Sequence, residues 1–139
     1  MFLVRLIYTS KTSSHFGPED IENILEKARS NNLKNNVTGL LCFNNKYFLQ
    51  CLEGSREKVN NTYHQILNDK RHSNIIMLSY TEIIERECEK WSMGYMPQSS
   101  LTDPLNLKYS GTPSFDPYEM SGESTHKLML ALKENIRST

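Results

Sequence analysis

The sequence predicts an α+β fold in which two helices cover one face of a mainly antiparallel sheet. Apolar residues alternate at every second position in the short segments, and they recur at helical spacing in the longer segments between them. The elements follow in the order βαββαββ, the ferredoxin-like plan, and a C-terminal helical extension comes after them. With 139 residues, the chain has room for one domain with its own core.

The N-terminal segment from Phe2 to Thr9 is predicted to be the first strand, because it is rich in apolar and β-branched residues. Successive side chains of a strand point to opposite faces. One face therefore carries Val4, Leu6, Tyr8 and Ser10, and the other carries Leu3, Arg5 and Ile7.

The first helix is predicted to begin near Gly17, since a proline and two carboxylates follow in its first turn. Its inward stripe has the spacing i, i+3, i+4, i+7 and i+11. The stripe consists of Ile21, Ile24, Leu25, Ala28 and Asn32. It thus ends in an amide rather than in an apolar side chain.

Two short strands, 37–43 and 47–52, are predicted to form a hairpin through Asn44, Asn45 and Lys46. Asparagine tolerates the positive φ that a tight hairpin turn requires. In any pairing in which the numbers of opposite residues add up to an odd value, one face of the hairpin carries Val37, Gly39, Leu41, Phe43, Phe48, Gln50 and Leu52.

A second helix is predicted from about residue 56 to 69, followed by a long strand over 74–84. The inward stripe of this helix consists of Val59, Thr62, Tyr63 and Ile66. A short strand from about residue 90 to 96 completes the sheet. It would place Trp91, Met93 and Tyr95 on one face.

The composition changes beyond residue 97. Residues 99–114 are rich in Ser, Thr, Asp, Pro and Gly and predict a loop, whereas 116–119 resembles a capped helix start. A helix from about 121 to 137 would present Leu128, Leu132 and Ile136. We expect residues 1–97 to form one domain, with a linker and helices over 98–139. These helices should pack on the free face of the sheet, which otherwise exposes Leu3, Ile7 and Leu40.

Composition disfavours several classes of protein. Sixteen Lys and Arg balance sixteen Asp and Glu, so there is no excess of positive charge for nucleic acid or an anionic membrane. The apolar runs are too short for a membrane span, and the N-terminus lacks a signal-peptide cleavage site. Cys42, Cys51 and Cys88 have neither metal-site spacing nor a disulfide pattern. We therefore expect a cytoplasmic protein without a metal, with its cysteines packed as thiols.

Three polar side chains fall on the face predicted to lie under the helices. Tyr8 and Gln50 stand among apolar strand residues, and Asn32 ends the stripe of the helix above. A buried amide or phenol costs about 1–3 kcal/mol if it is left unpaired. These groups must bond one another, hold water or bind a flat polar ligand. Since each also has an ordinary structural explanation, the residues alone leave these possibilities open.

Five segments in this order closely resemble the BLUF family, the flavin-based sensors of blue light. They are RLIYTS at 5–10, ARSNNLKNNVTGLL at 28–41, YFLQCLEG at 47–54, DKRHSN at 69–74 and WSM at 91–93. The resemblance covers about residues 1–97. The tail is similar to that of small single-domain BLUF proteins, which lack a fused enzyme.

The resemblance implies roles for the matching residues. Tyr8 matches the redox-active tyrosine, Gln50 the glutamine between it and the flavin, and Asn32 the asparagine at the ring edge. The implied flavin-binding set is Tyr8, Ile24, Ala28, Asn32, Leu41, Phe48, Gln50, Ile66, Asp69, Arg71, His72 and Met93. Trp91 and Met93 match the positions implied in signalling, and either could lie beside the flavin.

The resemblance also implies the cofactor and the output. FAD is expected, with FMN as the alternative, because Arg29, Lys70 and Arg71 could serve either phosphate pattern. In this family, light moves an electron and then a proton from the tyrosine to the flavin. The glutamine ends rearranged, and the flavin absorption shifts to the red. The expected output is a signal to a partner protein in trans, without catalysis, and homo-oligomers are possible.

Two other functions remain open at this point. One is a small-ligand-binding or acylphosphatase-like protein of the same fold, which would be colourless when purified. The other is a BLUF-derived interaction module without photochemistry, against which the presence of Tyr8, Gln50 and Asn32 argues.

Overall fold

The computed structural model describes residues 2–12, 17–88, 92–99 and 102–134. Its elements are β1 (Leu3–Thr12), α1 (Pro18–Asn35), β2 (Thr38–Phe43), β3 (Tyr47–Ser55), α2 (Arg56–Leu67), β4 (His72–Ile83), β5 (Gly94–Pro97), α3 (Asp103–Ser110), a 3-10 turn (Pro117–Glu119) and α4 (Gly122–Lys133). The first seven elements have the predicted order βαββαββ. None of the described helices is long and apolar enough to cross a membrane.

The described residues form a five-stranded sheet in the order β4-β1-β3-β2-β5. Its pairs are antiparallel except for β2 with β5, which is parallel. Tyr8 on β1 is opposite Gln50 on β3, and Leu41 on β2 is opposite the same glutamine. In the hairpin, the numbers of paired residues therefore add up to an odd value, and the shared face predicted for such a register is confirmed. The β1–β3 register brings the phenol of Tyr8 and the carboxamide of Gln50 together at the centre of the sheet.

Helices α1 and α2 cover one face of the sheet, as predicted. The buried cluster on this face contains Val4, Leu6, Tyr8, Leu41, Phe48 and Leu52 from the sheet, with Ile24, Leu25, Val59 and Tyr63 from the helices. Burying such large apolar side chains contributes roughly 1.5–3 kcal/mol each. This layer fixes the two helices above the Tyr8–Gln50 pair.

Helix α4 packs on the opposite face of the sheet. Its Leu128 and Leu132 are buried in a cluster with Ile7, Leu40 and Leu49. Cys42, Cys51 and Cys88 are buried free thiols, as expected. A β-carbon added at Gly122 would collide with the backbone oxygen of Leu78, so α4 begins in close contact with β4. Ile136, predicted to extend the stripe of this helix, lies outside the described residues.

The prediction of a loop over 99–114 is wrong, because α3 occupies Asp103–Ser110. A proline in its first turn and Gly111 just beyond its end, at φ 85°, delimit the helix. Its eight residues carry too short an apolar pattern to stand out from the surrounding polar sequence.

The reason given for the hairpin turn is also wrong. Among the described residues other than glycine, positive φ occurs at Asn36 and Asn74, not at Asn44 or Asn45. The side chain of Asn44 closes the turn instead, since its Oδ1 accepts from the backbone N–H of Lys46 at 2.8 Å and of Tyr47 at 2.7 Å. Asparagine is used here as a hydrogen-bond acceptor rather than for its backbone freedom.

Packing of α4 against the sheet can be measured directly. Replacing the fully buried Leu128 by alanine should lower the free energy of unfolding by about 2–5 kcal/mol, because a large apolar side chain is lost from a closed layer. Leu33→Ala on α1 is the control, since Leu33 is 69% exposed and its replacement should change stability by about 0.5 kcal/mol or less. Urea denaturation of both variants makes the comparison. Equal stability of the two would show that α4 does not pack on the sheet.

Candidate functional site

A cavity of about 390 Å³ lies beside the sheet face that α1 and α2 cover, a size typical of small-molecule sites. Two helical stripes and the end of α2 provide most of its wall. The lining residues are Ile24, Lys27, Ala28, Asn31 and Asn32 from α1, Thr62, Gln65 and Ile66 from α2, Asp69, Arg71 and His72 beyond it, and Gln50 from β3. Apolar and polar groups thus face the same space.

The Tyr8 hydroxyl donates a hydrogen bond to Oε1 of Gln50. Tyr8 is completely buried, and burial raises the pKa of its phenol well above the usual value, with smaller contributions from Tyr63 and Asp69. The phenol therefore stays protonated. Tyr8 itself lies behind the cavity wall, with Gln50 between it and the cavity.

The amide nitrogen of Gln50 has a weak partner. Its Nε2 donates to Sδ of Met93 at 3.6 Å, and a thioether is a poor acceptor. This is the one hydrogen bond that Nε2 makes to the described residues, although an amide nitrogen carries two hydrogens. Since Gln50 is 5% exposed and lines the cavity, it can donate to a ligand there.

Asn32 offers a second carboxamide. The residue is 1% exposed, and its Nδ2 donates to the backbone oxygen of Ser92 at 2.6 Å. The side chain of Arg29 donates to the backbone oxygen of Met93 at 3.2 Å. Two residues of α1 therefore hold the segment before β5, and this contact positions Met93 against Gln50. Oδ1 of Asn32 accepts no hydrogen bond from the described residues, which leaves it available to a ligand.

Asp69 and Arg71 form an ion pair on the cavity wall, with 2.7 Å between Asp69 Oδ2 and Arg71 Nη2. The hydrogen bonds from Arg71 lower the pKa of Asp69 to about 2, although partial burial opposes them. Much of the positive charge of Arg71 is thus balanced within the protein. Lys27 from α1 adds a further positive charge to the lining.

His72 borders both the cavity and the core. Its Nδ1 lies 2.8 Å from Oγ of Ser10, and its ring centroid lies 4.8 Å from that of Phe48. Burial lowers the pKa of His72 to about 4; Asp69 raises it and Arg71 lowers it further. The imidazole is therefore neutral at physiological pH.

The sequence matches the BLUF family, described as sensors of blue-light using FAD, over residues 3–94. The chain belongs to the BLUF family. As a member of this family of sensors, it detects blue light and uses FAD as its cofactor.

Two curated relatives and one solved structure illustrate the family. The blue light- and temperature-regulated antirepressor BluF of Escherichia coli (strain K12) is 40% identical over 76 residues, which are 55% of this chain and 19% of the antirepressor. The photoactivated adenylate cyclase subunit beta of Euglena longa is 31% identical over 84 residues, which are 60% of this chain and 10% of that subunit. The chain thus spans less than a fifth of either relative. BlsA in its photo-activated state has a TM-score of 0.86 and 30% identity, with 94% of each chain covered.

The residues around the cavity are chemically suited to a flavin. An isoalloxazine ring has two apolar faces and an edge with both donors and acceptors. Ile24, Ala28 and Ile66 supply apolar wall, while Gln50 and Asn32 offer a spare donor and a spare acceptor.

The structure divides the sequence-predicted binding residues into two layers. Those on the cavity wall are Ile24, Ala28, Asn32, Gln50, Ile66, Asp69, Arg71 and His72. Tyr8, Leu41, Phe48 and Met93 are not part of the lining and lie in the buried cluster. Of the cations considered for the phosphates, Arg29 bonds Met93 and the exposed Lys70 is not part of the lining. Trp91 lies outside the described residues.

Sequence reasoning missed four lining residues: Lys27, Asn31, Thr62 and Gln65. Helical spacing could have found them. On α1, positions 24, 27, 28 and 31 follow the pattern i, i+3, i+4, i+7. Positions 62, 65, 66 and 69 follow the same pattern, which begins at Thr62. Thr62 was predicted to face inward but was not assigned to the site, whereas Lys27, Asn31 and Gln65 resemble ordinary solvent-facing residues.

The neutral His72 should make the fold sensitive to acid. Its folded-state pKa of about 4 lies below the ordinary 6.5. At pH values between these two, the histidine therefore binds a proton in the unfolded chain that it does not bind in the folded protein. Stability should therefore fall as the pH drops from about 6.5 to 4, by up to about 3 kcal/mol from this residue. In His72→Gln that part of the pH dependence should disappear.

Urea denaturation at several pH values measures this dependence. His64→Gln is the control, because His64 is exposed on α2 and is not part of the cavity lining. A pH profile that is the same in wild type and His72→Gln would contradict the assignment.

Proposed function

We propose that this BLUF protein senses light through the Tyr8–Gln50 hydrogen bond beside FAD and signals to a partner protein without catalysing a reaction of its own. The observation that supports the proposal is the position of Gln50: its Oε1 accepts from Tyr8, and its amide borders the cavity. A change in the hydrogen bonds that Gln50 makes in the cavity can thereby alter its hydrogen bond to the buried phenol of Tyr8.

The cavity lining suggests how the cofactor would be held. Gln50 and Asn32 would bond the ring edge, and the apolar residues Ile24, Ala28 and Ile66 would contact the ring faces. His72 and the Asp69–Arg71 pair would border the same ligand. FAD and FMN share the ring that these groups contact, so this part of the site would accept either cofactor.

A bound flavin supplies absorption of blue light and, once excited, a strong oxidant. Tyr8 is the oxidisable group next to Gln50, and its hydroxyl proton lies on the hydrogen bond to Oε1. A phenol that has lost an electron is strongly acidic, so this proton would leave Tyr8 along that bond. The proton returns when the electron does, so the lasting change would be in the orientation of the Gln50 carboxamide.

Reorientation of the Gln50 carboxamide would change its contact with Met93. In the described arrangement the Gln50 amide donates to Sδ of Met93. With the carboxamide reversed, its oxygen would face a thioether that has no hydrogen to donate, and this contact would be lost. Met93 directly precedes β5, so the segment leading into the edge strand would take up a different position.

A polar cluster extends from this part of the sheet to α4. The fully buried Glu53 accepts from the backbone N–H of Glu87 and Cys88 and also faces Arg5. Glu87 lies 2.9 Å from Nε2 of His126 on α4, and its backbone oxygen accepts from Lys133. Glu87 and Cys88, which follow β4, are thus tied to β3 and to α4. We propose that α4 presents the signal to the partner.

The comparisons support a sensor more than an enzyme. The matched family is described as sensors, and the likeness to BlsA extends over 94% of each chain. The antirepressor and the cyclase subunit suggest that the partner regulates gene expression or an enzyme. We place the protein in the cytoplasm, consistent with its buried free thiols, and a homo-oligomer remains part of the proposal.

A visible spectrum before and after blue light tests the proposed function. The purified protein should carry FAD, shift reversibly to the red in light and recover in the dark. Tyr8→Phe should keep FAD but lose the shift, because the proton donor to Gln50 is removed. Tyr63→Phe is the matched control, with its ring centroid 5.6 Å from that of Tyr8, and should keep the shift. A red shift that persists in Tyr8→Phe would overturn the mechanism.

Glu87→Gln tests the route to α4. The red shift should be unchanged, whereas the light-induced change in hydrogen exchange of α4 amides should shrink, because Glu87 loses the charge with which it contacts His126 and Arg5. The cost in stability should be about 1 kcal/mol, since the Glu87 side chain is partly exposed. Hydrogen exchange read by mass spectrometry in darkness and light measures this. Glu85→Gln is the control because Glu85 is exposed, and an equal response of α4 in both variants would refute the route.

A further inference from the structure

Ser10 is a buried hydroxyl just behind the cavity wall. It lies on β1 two residues beyond Tyr8, on the same face of the strand, and is fully buried. Its Oγ is 2.8 Å from Nδ1 of His72. The rings of Phe48 and Tyr8 lie 4.8 Å and 6.3 Å from the imidazole, so His72 is held on several sides.

The direction of this hydrogen bond follows from the other partners of Ser10. Among the described residues, the side chain of Ser10 bonds to His72 alone. If Nδ1 donated, the Ser10 hydrogen would remain without an acceptor in a site closed to water. If Ser10 donates instead, both groups are satisfied. The neutral imidazole must then carry its hydrogen on Nε2.

Nε2 of His72 is accessible to a ligand. It forms no hydrogen bond to the described residues. It is also not one of their buried polar atoms without a partner, which are Nε2 of Gln98 and Oδ1 of Asn106. The side chain of His72 also lines the cavity. The free nitrogen therefore faces the cavity or the solvent at its edge.

We propose that Ser10 is a positioning residue that fixes His72 as the neutral Nε2–H tautomer and so makes it a hydrogen-bond donor to the flavin. This rests on the proposed function, because the ligand is the flavin of the photosensor. The matching acceptor is an oxygen of the ring or of the ribityl chain. The hydroxyl acts through the imidazole and does not itself reach the cavity.

The charged groups near His72 are consistent with a neutral imidazole at neutral pH. Asp69 and Arg71 neutralise one another in an ion pair, and they act on His72 in opposite directions. Lys27 from α1 lines the same cavity and disfavours a second positive charge. Tyr8 on β1 stays protonated, while Thr62 and Gln65 from α2 are neutral. A neutral imidazole is therefore the form whose tautomer Ser10 selects.

Nitrogen-15 NMR of the FAD-bound protein reads the tautomer directly. In wild type, His72 should show the pattern of a protonated Nε2 and a bare Nδ1. Ser10→Ala should give a mixture of both tautomers, and Ser10→Thr should restore the wild-type pattern. The His72→Gln variant assigns the signal among the four histidines.

The same variants should differ in their affinity for FAD. Ser10→Ala should bind FAD roughly 2- to 10-fold more weakly, since a neutral hydrogen bond is partly lost. Thr9→Val is the matched control, because the Thr9 hydroxyl is buried on the same strand but bonds the backbone oxygen of Phe48 at 2.7 Å. This control should leave the His72 tautomer unchanged.

Two results would overturn the inference: a protonated Nδ1 in wild type, or an unchanged tautomer and FAD affinity in Ser10→Ala. A failure of the proposed function is distinguishable from these. In that case, wild type would show no light-induced red shift, whereas the tautomer measurement would still report on Ser10 and His72.

Discussion

The hydrogen bond from Tyr8 to Gln50 is the interaction on which the remaining features of the site depend. Both residues lie on central strands and are placed opposite one another by the β1–β3 register. A slip of one residue in β3 would turn Gln50 to the α4 face. An unpaired phenol in this layer would cost about 1–3 kcal/mol, so Tyr8 needs a hydrogen-bond partner, which in the described arrangement is the glutamine oxygen. The glutamine nitrogen has a weaker partner in the sulfur of Met93, so the carboxamide is held less firmly at its nitrogen than at its oxygen.

In the proposed mechanism, the sheet separates the face that detects light from the face that passes on the signal. On one face, α1 and α2 flank the cavity, and on the other α4 packs over a second apolar cluster. In this mechanism Glu53 would connect the two functions, because it lies on β3 three residues beyond Gln50 and accepts from the N–H groups of Glu87 and Cys88. A buried carboxylate is tolerated only when it is paired and hydrogen-bonded. This requirement makes Glu87 and Cys88, which follow β4, part of a fixed hydrogen-bond network.

Periodicity predicted the element order, the faces of the strands and the inward position of Leu128 and Leu132. It failed where the physical cause is not periodic. Helix α3 is delimited by local signals such as Gly111 and has little apolar pattern. The hydrogen bonds of Glu53 to the backbone N–H groups that follow β4 join residues more than thirty positions apart, so nothing in the sequence near Glu53 indicates them. Polar lining residues such as Gln65 were missed because a side chain facing a cavity resembles one facing water.

The mixed lining also explains why the cofactor would belong to the core. Without a ligand, the spare donor of Gln50 and the spare acceptor of Asn32 have no protein partner among the described residues, and apolar groups such as Ile66 border open space. A flat heterocycle satisfies both needs at once, which an apolar side chain or water alone cannot do. Occupancy at 100 times the dissociation constant would add about 2.7 kcal/mol to folding stability. The group that absorbs light would thus also hold the two helices in place, so that a change in its hydrogen bonds acts on the fold itself.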